Sequence, residues 1–533
     1  MIARVFVVLV GVPASIAAQQ PLAVEQTAPG TKPRATLAAR FDGLGVGFVG
    51  PQGSANLRNP SDNSIAVGPD HIVQTVNSRM AIFTKKGRTF DTTGKVLYGP
   101  VSTNNVFREF GGPCERRNNG DAVVRYDQLA NRWLIVMPIF SRNRPGLRQG
   151  VPGDAMRLYE PPPQPLPRPT PSTDSARPPP ATARPPAQPP PPSTDPYAMC
   201  YAISVGSDPF GPYYRYEFSR HLFPDYPRPA VWPDGYYVPT STGDDVIQKH
   251  ACVVERAKML KGEPAAEQCI IMEGVNFLNN ADLDGTALPP PGAPNVMLAA
   301  GGTQLRGVYG DSVIYAWTFH VDWRDETMTK IDGPLRIAVA PYQYLCGGQL
   351  TSCVPQPGTD RRLDAQGDKI MARVVYRRIG NQESLVAVHS VNTTSGGGGV
   401  RWYELRLDSA RNVVVHQQGT FAPDSFYRWM ASPAMDGRGN IAIGYSFGGT
   451  PHFTGQRFAG RLAGDPLGIL TLRETVLVDG EASQTNTMRW EDYTQTAVDP
   501  SDDCTIWYVG DYLRKGATSY STRIGAFRMP GCS

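Results

Sequence analysis

The chain has 533 residues with a formal net charge of +4, and 19% of its residues are charged. This near-neutral balance excludes the strongly basic surface that nucleic-acid binding needs. Glycine (54 residues) and proline (51 residues) are abundant, and helical periodicity is almost absent. Together these features predict an all-β protein with many turns.

The N-terminus has the layout of a secretory signal peptide. Arg4 precedes a short apolar run from Val5 to Val12, which is too short to cross a membrane, and no later run is long enough either. We therefore predict a signal peptide at residues 1–18, a flexible leader at 19–58 and one mature domain at 59–533. The protein is expected to be secreted, either to the extracellular space or to the periplasm.

Eight cysteines fit an exported protein, because disulfides persist in oxidising compartments. Sequence alone does not settle how they pair, since eight cysteines allow many connectivities. No C-x-x-C pair and no Cys/His cluster occurs, which argues against a structural zinc site. Proximity along the chain favours Cys346–Cys353, Cys252–Cys269 and Cys504–Cys532, which leaves Cys114–Cys200 by elimination.

Residues 161–196 form a proline-rich segment, in which 17 of 36 residues are proline. Such a composition cannot form a packed core and favours an extended, partly polyproline II conformation. Strand-like pieces lie on both sides of it, at 131–140 and 197–205. We therefore predict an inserted loop within one domain.

A hairpin pattern recurs along the rest of the chain at a spacing of about 60 residues. The gap between the third and fourth copies is doubled, which predicts a divergent copy near 297–320. About seven units, each long enough for four short strands, predict a β-propeller of about seven four-stranded blades; a β-sandwich accounts less well for the regular period. The first strands of the recognisable copies begin near Ile65, Val123, Ala230, Val374, Ala434 and Ala497.

The loops before these first strands carry recurrent charged and aromatic side chains. In a propeller such loops converge on one face around the central channel, where ligand sites are commonly built. Carboxylates and arginines can bind sugar hydroxyls, aromatic rings can stack on sugar rings, and two carboxylates can catalyse glycosidic cleavage. Ligand binding is predicted for Arg428, Trp429, Arg489, Trp490, Tyr493, Tyr226, Asp62 and Asp368, and catalysis for Asp492, Glu491, Asp225 and Asp121. The alternative for each of them is packing between blades or capping of a turn.

Two other motifs carry less weight. The segment GYSFG at 444–448 matches the G-x-S-x-G nucleophile elbow, but no helical sequence follows it, which favours a hairpin strand. Asp282 and Asp284 precede Gly285 as in calcium loops, but the full calcium-loop pattern is missing. Calcium at these two residues is therefore a weak prediction, and no other cofactor is expected.

Several segments resemble a group of secreted bacterial propeller-like proteins without an assigned function, some of which are labelled sialidase-like. They include SIAVGPDHIVQTVNSRMAIF, PDYPRPAVWPDGYY and RWEDYTQTAVDPSDDCTIWY, and such pieces cover most of residues 60–532. The chain lacks the F-R-I-P and S-x-D-x-G-x-T-W motifs of sialidases. We expect binding of an extracellular glycan at one mouth of the channel, with glycoside hydrolase-like activity if the protein is an enzyme. The alternative is a non-catalytic extracellular scaffold or adhesion protein that binds a protein ligand.

Overall fold

The structure is a computed structural model, and it describes residues 25–54, 57–141, 197–241, 248–275, 277–302, 309–310, 312–348 and 352–532. The predicted signal peptide (1–18) and the proline-rich insertion (161–196) lie outside the described residues. The described part is nearly all β. Its few helical pieces are α1 (Gly112–Arg116), α2 (Arg256–Met259) and 3-10 turns at Thr103–Phe107, Glu326–Met328 and Leu345–Gly347.

Two strands, β1 (Glu25–Gln26) and β2 (Thr36–Gly45), precede the first repeat. The later strands fall into antiparallel groups, in which strands adjacent in sequence pair with each other. Group 1 contains β3 (Ser64–Val67), β4 (His71–Val76), β5 (Arg79–Thr84) and β6 (Val96–Ser102). Group 2 contains β7 (Val123–Asp127), β8 (Arg132–Ile139), β9 (Tyr197–Ser204) and β10 (Tyr213–Arg220). Group 3 contains β11 (Ala230–Val231), β12 (Tyr236–Tyr237), β13 (Lys249–Val254) and β14 (Glu267–Met272).

The second half of the chain continues the same arrangement. Group 4 contains β15 (Asn279–Leu283), β16 (Asn295–Ala300), β17 (Ile314–His320) and β18 (Lys330–Ile337). A separate hairpin of β19 (Ser352–Gln356) and β20 (Thr359–Asp364) follows. Group 5 contains β21 (Val374–Ile379), β22 (Gln382–Asn392), β23 (Gly398–Leu407) and β24 (Val413–Phe421). Group 6 contains β25 (Tyr427–Met435), β26 (Ile441–Gly449), β27 (His452–Arg461) and β28 (Thr475–Val478). Group 7 contains β29 (Gln495–Val498), β30 (Thr505–Tyr512) and β31 (Ser521–Arg528).

Strand β2 is the fourth strand of group 7. It pairs antiparallel with β31 from Thr36↔Arg528 to Gly45↔Ser521, so the N-terminal part of the chain completes the last sheet. The prediction of a flexible leader over 19–58 is therefore wrong for residues 36–45. The physical reason is that β31 would otherwise leave the backbone groups of its free edge unpaired, and β2 satisfies them.

The first strands of the seven groups lie next to one another in chain order. Each contacts the first strand of the following group, and β29 of group 7 contacts β3 of group 1. Groups 4, 5 and 6 are joined by a parallel pairing of β15 with β21 and a bridge between β23 and β25. Together with β1, which pairs in parallel with β24, they form one 13-stranded sheet.

The apolar side chains pack between neighbouring groups. One cluster joins Ile65 and Phe83 of group 1 to Val509 and Ile524 of group 7, and another joins groups 1 and 2. A single four-stranded group has two faces to cover, so each group depends on both neighbours for burial of its core. The first and last groups are packed together in the same way as groups adjacent in sequence.

The repeat prediction agrees with most of the strand positions, but Ala434 lies near the end of β25 and not at its start. Predicted starts at Val123, Ala230 and Val374 are the observed first residues of β7, β11 and β21. The divergent copy predicted near 297–320 contains β16 and β17, but its group begins earlier, at Asn279. The segment 444–448 lies within strand β26, as the hairpin interpretation predicts.

The four disulfides are those that proximity and elimination favoured: Cys114–Cys200, Cys252–Cys269, Cys346–Cys353 and Cys504–Cys532. Four disulfides are consistent with folding in an oxidising compartment. Among the described residues, no helix has the length and apolar character needed to cross a membrane.

Candidate functional site

Polar side chains from five separate loops meet at one end of the ring of first strands. We call this set the mouth cluster. Each of its carboxylates interacts electrostatically with at least one other member, so loops that are far apart in sequence build one site. Its members are Asp62 before β3, Asp121 before β7, Asp225 before β11, Asp364 at the end of β20, and Arg489 and Asp492 before β29.

Arg489 is the cation of the mouth cluster. Its guanidinium binds the carboxylate of Asp492, and its Nε lies 3.2 Å from Oδ2 of Asp364. Gln366 donates to Oδ1 of Asp492 at 3.0 Å. About a third of the Arg489 side chain is exposed (32%), compared with 13% for Asp492. Solvent therefore reaches this ion pair from one side.

Of the two carboxylates beside Arg489, Asp364 is the more deeply buried. The backbone N–H of Trp490 donates to Oδ1 of Asp364 at 2.9 Å. Burial, followed by the charge of Asp492, raises the pKa of Asp364 to about 7. Burial opposes the charged form of Arg489, but Asp492 and Asp364 outweigh it and raise the arginine's pKa. A carboxyl with this pKa can exchange a proton near neutral pH.

Asp62 and Asp121 form a carboxyl pair on the other side of the cluster. The amide of Asn77 donates to Oδ2 of Asp62 at 2.6 Å and to Oδ1 of Asp121 at 3.3 Å. Asp62 is only 1% exposed, and its Oδ1 has no hydrogen-bond donor. Asp121 is partly exposed.

Both carboxyl groups accept a hydrogen bond from the same Asn77 amide nitrogen, so they lie close to each other. Two ionised carboxylates this close repel each other, so a proton or a cation between them would stabilise the pair. Burial, followed by the charge of Asp225, raises the pKa of Asp121 to about 8. Burial and the charge of Asp121 raise the pKa of Asp62 well above its usual range.

The backbone is strained where it presents these groups. Asp62, Tyr226, Gln366, Glu491 and Asp492 all have left-handed conformations, with φ between 45° and 65°. A non-glycine residue in this region costs free energy and persists only where the surroundings enforce it. Contacts with the surrounding groups therefore hold these five residues in position.

The tyrosines of the site are buried behind it. The rings of Tyr226 and Tyr493 meet edge to face with centroids 4.7 Å apart, and the two residues are 5% and 3% exposed. The hydroxyl of Tyr226 donates to the carbonyl of Asp492 at 3.1 Å, whereas the Tyr493 hydroxyl has no partner. These rings support the loops and do not offer an open stacking surface.

Asp368 is placed behind the cluster. It is 7% exposed and lies 3.3 Å from Nζ of Lys369. That ammonium group in turn lies 4.0 Å from the ring centroid of Phe277 and 5.2 Å from that of Tyr226. Asp368 therefore orients a buried lysine, and its predicted ligand contact is not supported.

Three other predictions need correction. Trp429 and Trp490 are completely buried with ring centroids 6.5 Å apart, so neither can stack on a ligand. Glu491 is also completely buried, and Ser446, Gln456 and the N–H of Asp511 all donate to its carboxylate. The structure thus gives Glu491 an anchoring role between groups 6 and 7 and removes it from the catalytic candidates.

Arg428 lies apart from the mouth cluster. Its guanidinium makes a two-pronged contact with Asp424 at 2.8 and 2.9 Å and binds Glu474 at 2.9 Å. The side chain is 1% exposed. The repeated Arg-Trp pair at 428–429 and 489–490 therefore reflects a shared packing position of the tryptophans, and only Arg489 reaches the site.

Asp282 and Asp284 bind an arginine in the position predicted for calcium. Nε of Arg373 lies 2.6 Å from Asp282, and its terminal nitrogens bind Asp284. Arg125 of β7 lies 3.2 Å from Asp282, and Arg373 also approaches the carbonyl of Thr496 in β29. These buried charges link the first strands of several groups, so the positive charge expected from calcium is supplied by guanidinium groups.

Four residues of the site do not appear among the sequence candidates: Asn77, Asp364, Gln366 and Lys369. Asp364 and Gln366 lie eight or more residues before the predicted strand start at Val374, because the hairpin of β19 and β20 inserts extra chain between groups 4 and 5. Asn77 lies in the turn between β4 and β5, where asparagine is common for conformational reasons alone. Nothing in the sequence at Asp364, Gln366 or Asn77 distinguishes a functional residue from one that serves only to form a turn.

No protein-family model matches the chain, and no curated protein matches it. Among solved structures, an ulvan lyase of polysaccharide lyase family PL25 is 10% identical, with a TM-score of 0.39 and coverage of 90% of this chain and 93% of that one. A Trypanosoma rangeli sialidase is 9% identical (TM-score 0.35; 77% and 56% covered). An exo-β-1,3-galactanase from Clostridium thermocellum is 9% identical (TM-score 0.31; 92% and 97% covered). Likeness at this level supports no conclusion about fold or function.

Proposed function

We propose that the described chain is a seven-bladed β-propeller closed by its N-terminal strand, with the mouth cluster at one end of the central channel. Three observations support this. The four-stranded groups number seven, their first strands contact one another in a closed cycle, and β2 completes the last group. Four disulfides and the signal-peptide pattern support secretion of the protein.

We propose that this mouth binds an extracellular glycan. The supporting observation is the convergence of Asp121, Asp225, Asp492 and Arg489 from three loops. Asp121, Asp225 and Arg489 are partly accessible, and 13% of the Asp492 side chain is exposed. Carboxylates accept hydrogen bonds from sugar hydroxyls, and a guanidinium donates to hydroxyl or carboxylate oxygens. Because the tyrosines and tryptophans of the site are buried, recognition rests on hydrogen bonds rather than on ring stacking.

Arg489 carries this proposal and provides its test. The full-length protein and its Arg489→Gln variant are applied to a glycan array, and hits are measured by calorimetry. The variant should lose at least tenfold in affinity, because a guanidinium that contacts a ligand contributes a charge-assisted hydrogen bond. Arg324→Gln is the matched control, since Arg324 is exposed in the β17–β18 connection. Absence of any glycan hit, or equal affinity of the Arg489 variant, contradicts the proposal.

Cleavage is tested separately from binding. The wild-type protein and Asp492→Asn are incubated with any glycan that binds, and the products are followed by chromatography. If Asp492 takes part in acid–base chemistry, the variant should bind but cleave at least a hundredfold more slowly. Equal rates would remove Asp492 as a catalytic candidate, and no cleavage by the wild type would leave a binding protein.

A further inference from the structure

Two buried polar atoms, one on Asp62 of the mouth cluster and one on Tyr493 beside it, lack the hydrogen-bond partners that buried polar atoms normally have. Oδ1 of Asp62 has no hydrogen-bond donor although the residue is 1% exposed. The hydroxyl of Tyr493, on a residue 3% exposed, has no partner and interacts electrostatically with Asp62 and Asp121. A buried polar atom left in this state costs on the order of 1–3 kcal/mol. Such orphans next to each other indicate a ligand.

The charges of the cluster do not balance. Five carboxylates converge, and Arg489 contacts only Asp492 and Asp364. The neighbouring cations are engaged elsewhere, since Arg228 donates to the carbonyls of Leu278 and Tyr226. Among the described residues, no cation forms a salt bridge with the carboxyl pair of Asp62 and Asp121. Arg489 acts on both only electrostatically, and the Asn77 amide is the neutral donor that bridges them.

We propose that Asp62 and Asp121 bind a hydrated hard divalent cation, Ca²⁺ or Mg²⁺. Both ions prefer carboxylate oxygens, and a cation between the two groups gives Oδ1 of Asp62 a partner. Mouth carboxylates are absent from the one three-ligand grouping found among the described residues, which is Cys252, Glu267 and Cys269. The ion therefore takes two protein carboxylates directly and completes its shell with water, as Mg²⁺ often does and Ca²⁺ can.

The geometry also gives the water shell a partner. The Tyr493 hydroxyl interacts electrostatically with both carboxyl groups, and we infer that it hydrogen-bonds a water molecule of the ion. Because Asp121 is partly exposed, the outer side of the ion faces the mouth. A ligand hydroxyl or carboxylate can replace a water there. The ion site stands on the protein's own groups and does not require the glycan proposal.

The experiment measures ion binding to the full-length protein without glycan. Protein freed of metal with EDTA is titrated with CaCl₂ or MgCl₂ by calorimetry and by thermal melting, with NaCl of equal ionic strength as control. One saturable site per chain and a rise in Tm of several degrees are expected for at least one of the two ions. The arm with the lower Kd identifies the ion.

Three variants locate the site. Asp62→Asn and Asp121→Asn should each weaken binding at least tenfold, and Tyr493→Phe should weaken it less while retaining the fold. Asp91→Asn is the matched control, because Asp91 is exposed in the β5–β6 connection, and it should bind as the wild type does. If neither ion binds the wild type saturably at concentrations up to about 10 mM, ten times the weakest Kd expected of such sites, the proposal is overturned. A proton shared by Asp62 and Asp121 is then the explanation of the pair. Unchanged affinity in both aspartate variants overturns the proposal as well, because the ion is then bound elsewhere.

Discussion

Replacement of Arg373 by methionine should destabilise the protein more than most single substitutions. The side chain is 5% exposed and binds both Asp282 and Asp284, which are themselves buried. Methionine fills similar space but leaves the two carboxylates with one salt bridge, from Arg125 at 3.2 Å from Asp282, and with an electrostatic interaction between Arg377 and Asp284. Breaking a buried ion pair in this way costs about 3–5 kcal/mol, because an uncompensated charge stays in the interior.

The cost converts to a measurable shift in melting temperature. With roughly 2.1 cal/mol/K of unfolding entropy per residue over the roughly 430 residues that the structure describes, about 3–5 kcal/mol lowers Tm by about 3–6 °C. Differential scanning calorimetry at pH 7 measures this shift, with Arg324→Met as the exposed control. A triple variant that also carries Asp282→Asn and Asp284→Asn should recover most of the loss.

The reasoning fails on either of two results. A Tm of the Arg373 variant within about 1 °C of the wild type would mean that the buried ion network contributes no net stability. A triple variant no more stable than the single variant would mean that loss of packing, and not unpaired charge, is the cause.

Three further predictions concern stability. The pKa of Asp364 is about 7 in the folded state, against an ordinary value of 3.8. Between these two values the folded protein keeps a proton that the unfolded chain loses. The free energy of unfolding should therefore fall by up to about 1.4 kcal/mol per pH unit as pH rises from 4 to 7. Asp364→Asn should flatten this slope in urea titrations with EDTA, and an unchanged slope would contradict it. Replacing Cys504 and Cys532 by serine opens a loop with a sequence separation of 28 and should cost about 3–4 kcal/mol in non-reducing melts; an unchanged Tm would contradict this. Trp490→Phe should lower Tm but leave glycan affinity unchanged, and calorimetry showing weaker binding would return Trp490 to the site.

The Asp62–Asp121 pair shows how much of the mouth cluster the repeat spacing along the sequence can predict. Both residues lie directly before first strands, and their period predicts that they reach the same end of the ring. Their contact with each other, and the part played by Asn77, depend on loop conformations that spacing does not encode. The convergence of these loops was therefore predictable from the sequence, but the contacts between side chains within the mouth cluster were not.

The segment RWEDY at 489–493 divides between two environments. Arg489 and Asp492 reach the mouth, whereas Trp490 and Glu491 turn into the interior. In an extended strand, successive side chains point to opposite faces, and that pattern would not give this division. The reason is that Glu491 and Asp492 both have left-handed backbone conformations, with φ of 55° and 65°. Non-glycine residues rarely adopt such values, and only contacts with neighbouring groups select them.

The sequence by itself determined the all-β class and the repeat period, because turn residues and strand patterning are local properties. It favoured the four disulfide pairs without settling them. The tertiary structure alone decided that residues 36–45 complete the last group, and that Arg373 takes the position predicted for calcium. It also decided which carboxylates meet. Each of these depends on long-range burial and charge pairing between segments up to hundreds of residues apart, where the free energy of a buried, partnered group outweighs any local preference.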